Sequence, residues 1–160
     1  MKSARALAAA LVATLAVATI AHGAEEPTRE AYVAAIEPIC KRDREASEKL
    51  LADTKQAVRD GRLDAAGRQL IRASRRFNGT IRQLVAVPRP PADDAKLRKW
   101  FKFLRIVRDR IRQTGVFYRE DKELQATHES IRAEKSGNAA NNVSFSFKVK
   151  YCRLSRSRLG

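Results

Sequence analysis

The stretch 143–152, "VSFSFKVKYC", decides the fold. In one reading it alternates: Val143, Phe145, Phe147, Val149 and Tyr151 against Ser144, Ser146, Lys148 and Lys150, the period of a strand. In the other, Val143, Phe147 and Tyr151 recur at the spacing of one helix face. No second segment reads as a strand that could pair with it. A lone strand would leave its backbone donors and acceptors without partners. We therefore read a helix, and the chain becomes all-α.

Working outward, this last helix begins after a turn near Glu120 and Asp121. Its apolar face would be Leu124, Thr127, Ile131, Ala139, Val143, Phe147 and Tyr151, weakened at "SGN" (136–138). The helix before it starts at Asp93 or Asp94, either of which can cap it. It carries Leu97, Trp100, Phe101, Leu104, Val107 and Ile111 to about Tyr118, with Gly115 as a candidate early stop. The proline-rich "AVPRPPADD" (86–94) separates it from a helix over Leu63–Val85. "DGRLDAA" (60–66) turns the chain at Gly61. It has the look of a helical-hairpin repeat junction, but no second copy follows at a fixed period. The first helix covers Thr28–Asp60, with Thr28 as N-cap. Pro38 interrupts it, giving either a kink near Glu37 or a restart with Pro38 in the first turn.

Four helices with short links predict an up-down-up-down four-helix bundle. The two cysteines of the chain test that topology. Cys40 lies near the start of the first helix and Cys152 at the end of the last, so both fall at one end of the bundle. A Cys40–Cys152 disulfide joining the first and last helices is expected, provided the compartment is oxidising.

The N-terminus argues that it is. Lys2 and Arg5 precede the apolar run "ALAAALVATLAVATIA" (6–21), and small residues follow. This is the layout of a secretory signal. The run is shorter than the ~20 residues that a spanning helix needs. The expected organisation is a signal peptide over 1–23, a bundle domain over 24–152 and a flexible basic tail over 153–160.

"YVAAIEPICK" (32–41), "LVAVPRPPAD" (84–93) and "ANNVSFSFKVKYC" (140–152) together resemble a group of small secreted all-helical proteins of high-GC Gram-positive bacteria. The group has no known activity. The resemblance spans most of the mature chain and implies export, a helical fold and paired cysteines within "EPICK" and "YC". A glycine common in that group between the last two helices is replaced here by Glu120 and Asp121.

Charge points to a partner class. The chain holds 33 Lys and Arg against 18 Asp and Glu, a formal net charge of +15. Such a field attracts polyanions. Between residues 98 and 112 the basic residues are Arg98, Lys99, Lys102, Arg105, Arg108, Arg110 and Arg112, opposed only by Asp109. Trp100, Phe101 and Phe103 interleave with them, as in a base-stacking platform, but Trp100 and Phe101 sit at core spacing. Specific nucleic-acid binding is therefore not expected.

Catalytic chemistry finds little footing. Export would remove His22 and leave His128 as the remaining histidine, and the single Met is the initiator. That inventory excludes His/Met haem ligation, and there is no CxxCH. Glu123 and His128 lack the Glu-x-x-His spacing of di-iron bundles. His128, Glu129 and Ser130 are consecutive, so they point different ways on a helix. No cofactor, metal or enzymatic activity is expected. The anticipated function is binding of an anionic envelope polymer, membrane surface or envelope protein through Arg98, Lys99, Lys102, Arg105, Arg108 and Arg112. The alternative is an adaptor or chaperone-like protein with an apolar groove near Phe103 and Ile106.

Overall fold

The computed structural model describes residues 26–154; the predicted signal segment and residues 155–160 of the predicted tail lie outside them. Four helices follow in order: α1 Arg29–Arg59, α2 Leu63–Ala86, α3 Asp94–Arg119 and α4 Glu123–Phe145, with a 3-10 turn at Pro91–Asp93 ahead of α3. α1 packs on α2, α2 on α3 and α3 on α4. Each link is too short for anything but a reversal, so the expected up-down-up-down bundle forms. The Cys40–Cys152 disulfide is present, with Cα atoms 4.9 Å apart.

Thr28 caps α1 as expected, its Oγ1 accepting the Ala31 N–H at 3.1 Å. The helix then runs unbroken through Pro38. At the far end, Gly61 (φ 69°) ends α1. Its N–H reaches the Val58 carbonyl at 3.0 Å and the Arg62 N–H reaches that of Ala57 at 2.8 Å. These two bonds define a Schellman turn.

The α3–α4 junction is built the same way. Asp121 (φ 55°) takes the left-handed position, and the Lys122 N–H reaches the Phe117 carbonyl at 2.9 Å. The hairpin junction does have a structural counterpart, then, hidden by an aspartate in the glycine slot. Gly115 does not stop α3. A Cβ there would lie 2.7 Å from the Gly67 carbonyl oxygen, and one on Gly67 would lie 2.5 Å from the Gly115 carbonyl oxygen. The two glycines let the α2 and α3 backbones touch.

The core gathers Tyr32, Ile36 and Cys40 of α1, Ile81 and Leu84 of α2, and Leu97, Trp100, Phe101, Leu104 and Val107 of α3. α4 contributes differently from its predicted face. Its buried residues are Ala126, Glu129, Ala133, Gly137, Ala140 and Ser144. Leu124 and Ile131 are exposed. Small residues seat α4 closely on α3; Leu124, Ile131 and Phe145 face outward, while Val143 of the predicted face packs against the core.

The largest correction concerns 143–152. α4 ends at Phe145, and Lys148 (φ 55°) reverses the chain. From there the chain runs on through a series of bends with no regular secondary structure. Phe147, Val149, Cys152 and Leu154 are buried, while Lys148, Lys150 and Arg153 are exposed. The alternation holds only from Phe147 to Tyr151: Ser144 is buried, Phe145 is exposed, and no strand forms among the described residues. The missing backbone partners are side chains. Both oxygens of the Glu37 carboxylate accept backbone N–H groups, one from Lys150 and the other from Tyr151 at 2.9 Å. The Asn141 amide donates to the Leu154 carbonyl at 2.6 Å and accepts the Leu154 N–H at 2.7 Å. This strap lies between α1 and α4, and the disulfide fastens it to α1. The flexible tail expected from 153 does not begin there, because Leu154 is buried in the core.

Candidate anion-binding face

Two buried carboxylates, Asp93 and Glu129, each hold guanidinium groups. The Arg29 guanidinium grips Asp93 through Nε (2.7 Å) and Nη2 (2.6 Å), joining the start of α1 to the start of α3. Asp93 therefore does not cap α3 with its side chain. The hydrogen bonds from Arg29, opposed by burial, hold its carboxyl below the usual carboxylate range. Glu129 of α4 is buried against Arg110 (2.6 Å) and Arg132 (2.8 Å). Burial pushes its carboxyl up, but the two guanidinium groups together outweigh that and hold it below its ordinary value.

With Arg110 committed to Glu129, the rest of the predicted basic run divides. Arg98 pairs with Asp94 one turn back. Arg108 is half-buried; it holds Asp109 at 2.9 Å and reaches across to Asn78 Oδ1 on α2 at 2.7 Å. It is a clamp between two helices rather than an open cation, and it neutralises Asp109, the one acid in the run from 98 to 112. Lys99, Lys102, Arg105 and Arg112 are exposed. No carboxylate among the described residues pairs with them.

α2 supplies a second column that the sequence reading missed. Arg72, Arg75 and Arg82 are exposed and also lack a carboxylate partner among the described residues. The α2–α3 seam is fixed by Asn78–Arg108 at one level and Gly67–Gly115 at another. Counting from those contacts along antiparallel helices brings Arg72 level with Arg112, and Arg82 level with Lys102. Each column runs ten residues, about 15 Å at 1.5 Å per residue. Helices in contact lie about 8–10 Å apart. The result is a basic plate astride the seam. The signal for α2 was the recurrence of arginine at 68, 72, 75 and 82, one side of a helix.

Other features offer less. A cavity of about 40 Å³ between Asp43, Leu51, Phe77, Ile111 and Leu154 is far below the ~300 Å³ of a small-molecule pocket. Asp43 lines it and accepts the Thr80 hydroxyl at 2.9 Å. His128 is exposed, whereas the adjacent Glu129 is buried. Among the described residues no three His, Cys, Asp or Glu side chains gather as metal ligands would. Phe103 and Ile106 are half-buried, and Phe103 packs against the core. No helix among the described residues is long and apolar enough to cross a membrane. No family model, curated protein or solved structure matches this chain.

Proposed function

We propose that this chain is an exported, non-enzymatic helical bundle that binds an anionic cell-envelope component through the α2–α3 basic plate. Wall polymer, lipid headgroups and acidic envelope proteins share the required chemistry. The observation that carries the reading is the pair of columns, Arg72, Arg75 and Arg82 beside Lys102, Arg105 and Arg112, without carboxylate partners among the described residues. Like charges one helical turn apart oppose each other by about 0.2–0.5 kcal/mol per pair. A polyanion laid along the seam relieves that repulsion on both helices at once. Export is supported by the signal-like N-terminus and by the disulfide, which persists in oxidising compartments.

The test is co-sedimentation with phosphatidylglycerol vesicles and with a soluble anionic wall polymer, comparing the native chain with the charge reversal R75E/R82E/K102E/R105E. We expect at least tenfold weaker binding, unchanged helicity, and binding that falls as salt screens the plate. Undiminished binding by the reversed protein overturns the reading. If that binding is also lost on Phe103→Ala, the apolar groove takes its place.

A further inference from the structure

α4 is turned the opposite way from an ordinary amphipathic helix. Its seat on α3 is made of Ala126, Ala133, Gly137, Ala140 and Ser144. Its outward side carries Leu124, Ile131 and Phe145, which are 67%, 47% and 68% exposed. These three, with exposed Asn138, stand seven positions apart. Seven residues are nearly two helical turns, so the four side chains form one column along the outside of the helix. A column of this kind gives a neighbouring helix a narrow apolar ridge to pack on.

The two ends of the column carry opposite charge. Leu124 follows on Asp121 and Glu123, the acids of this end that Lys122 leaves over once it has paired with Glu120 at 2.8 Å. Phe145 sits in a depression lined by Ser146, Lys148, Val149 and Arg153, with the Arg153 guanidinium 5.5 Å from its ring centre. A helix with an acidic end and a basic end complements a copy of itself laid antiparallel.

We infer that α4 is a self-association surface, pairing two copies of this chain antiparallel about a two-fold axis. The axis passes between Glu134 and Lys135. Leu124 then lies level with Phe145 of the second copy, entering the depression ringed by Lys148 and Arg153. Ile131 lies level with Asn138 of the second copy. Glu123, in the first turn of α4, then faces the Lys148 and Arg153 end of the second copy, so acidic end meets basic end twice. The contact is isologous and closes at two subunits. It is also small. One face of a helix about 35 Å long places it at the low end of specific interfaces, near or below 1,200 Å² in total. The dimer should therefore form at micromolar or higher concentration. The basic plate lies on a different side of α3 from α4, so this inference stands apart from the anion-binding reading.

Sedimentation equilibrium of the oxidised mature chain, from micromolar to millimolar concentration, tests it. The expected result is a mass rising from one chain to two and no further. Ile131→Glu and Phe145→Glu should each weaken association at least tenfold without lowering the melting temperature of the dilute monomer. Reversing the acidic end (Glu120→Lys with Glu123→Lys) should weaken it likewise, and adding Arg153→Glu should recover part of the loss. A chain that stays monomeric at millimolar concentration overturns the inference, as does a dimer indifferent to Ile131→Glu. If the monomer instead loses phosphatidylglycerol-vesicle binding on Ile131→Glu, the column belongs to a lipid surface and the pairing is wrong.

Discussion

Glu37 makes the strap possible. Its carboxylate takes two adjacent backbone N–H groups, of Lys150 and Tyr151, that have no ladder to join. Hydrogen bonds to charged groups contribute about 1.5–3 kcal/mol, and of these two the Tyr151 one is part-buried while the Lys150 one is exposed to water. Glu37→Ala should therefore lower stability by about 2–3 kcal/mol in urea melts with the disulfide intact. Amide exchange should quicken at Lys150 and Tyr151 while α3 stays protected. Asp93 gives a pH dependence. Its pKa is depressed in the fold, so its contribution is fully present above the unfolded value of about 3.9 and is lost as pH falls through the lower folded one. Glu129 shifts in the same direction. Melting temperature should drop on acidification below about pH 4, and Asp93→Asn should flatten part of that slope.

At the scale of the element, α4 separates what was readable from what was not. α1, α2 and α3 bury large side chains at helical spacing, and Leu97, Trp100, Phe101, Leu104 and Val107 of α3 all lie inside as their periodicity predicts. α4 buries alanine, glycine and serine, residues whose hydrophobic signal is weak, so Leu124 and Ile131 drew the predicted face to the wrong side. The strap was misread for a related reason. Its alternation was visible, but the Glu37 and Asn141 bonds that satisfy it span long sequence distances and leave no local mark. The basic plate was half legible: the α3 column stood out as a dense run, whereas the α2 arginines become a site once the Gly67–Gly115 contact sets the seam beside them. Two substitutions check this account of packing. Gly67→Ala must push α2 and α3 apart, and overpacking of this kind costs about 1–3 kcal/mol. Ile131→Ala, despite removing more apolar surface, should change monomer stability by less than about 0.5 kcal/mol.

The whole molecule is closed by one covalent bond. α1 meets α2 directly, but its link to the end of the chain is the strap, with Cys152 fastened to Cys40 across a separation of 112 residues. Cross-linking a loop of that size lowers the entropy of the unfolded chain by an amount equivalent to about 4–5 kcal/mol. The double replacement Cys40→Ser and Cys152→Ser should cost up to that much in guanidinium melts. The loss should begin at the strap, where Phe147, Val149 and Leu154 leave the core first, before α2 and α3 separate.

The position of that bond also sets how the molecule bears load. Tension applied between the two ends of the described chain enters at α1, reaches Cys40 within a few helical turns, crosses the sulfur bridge and leaves through Arg153 and Leu154. Everything from the rest of α1 to the tip of the strap lies off that line and feels no pull. Held in a force instrument, the oxidised protein should yield little beyond its first helical turns. Once a reductant opens the bridge, the enclosed loop is released, and the chain should lengthen by about 400 Å at full extension. A protein anchored at one end and tugged at the other would thus keep its basic plate assembled for as long as its surroundings remain oxidising.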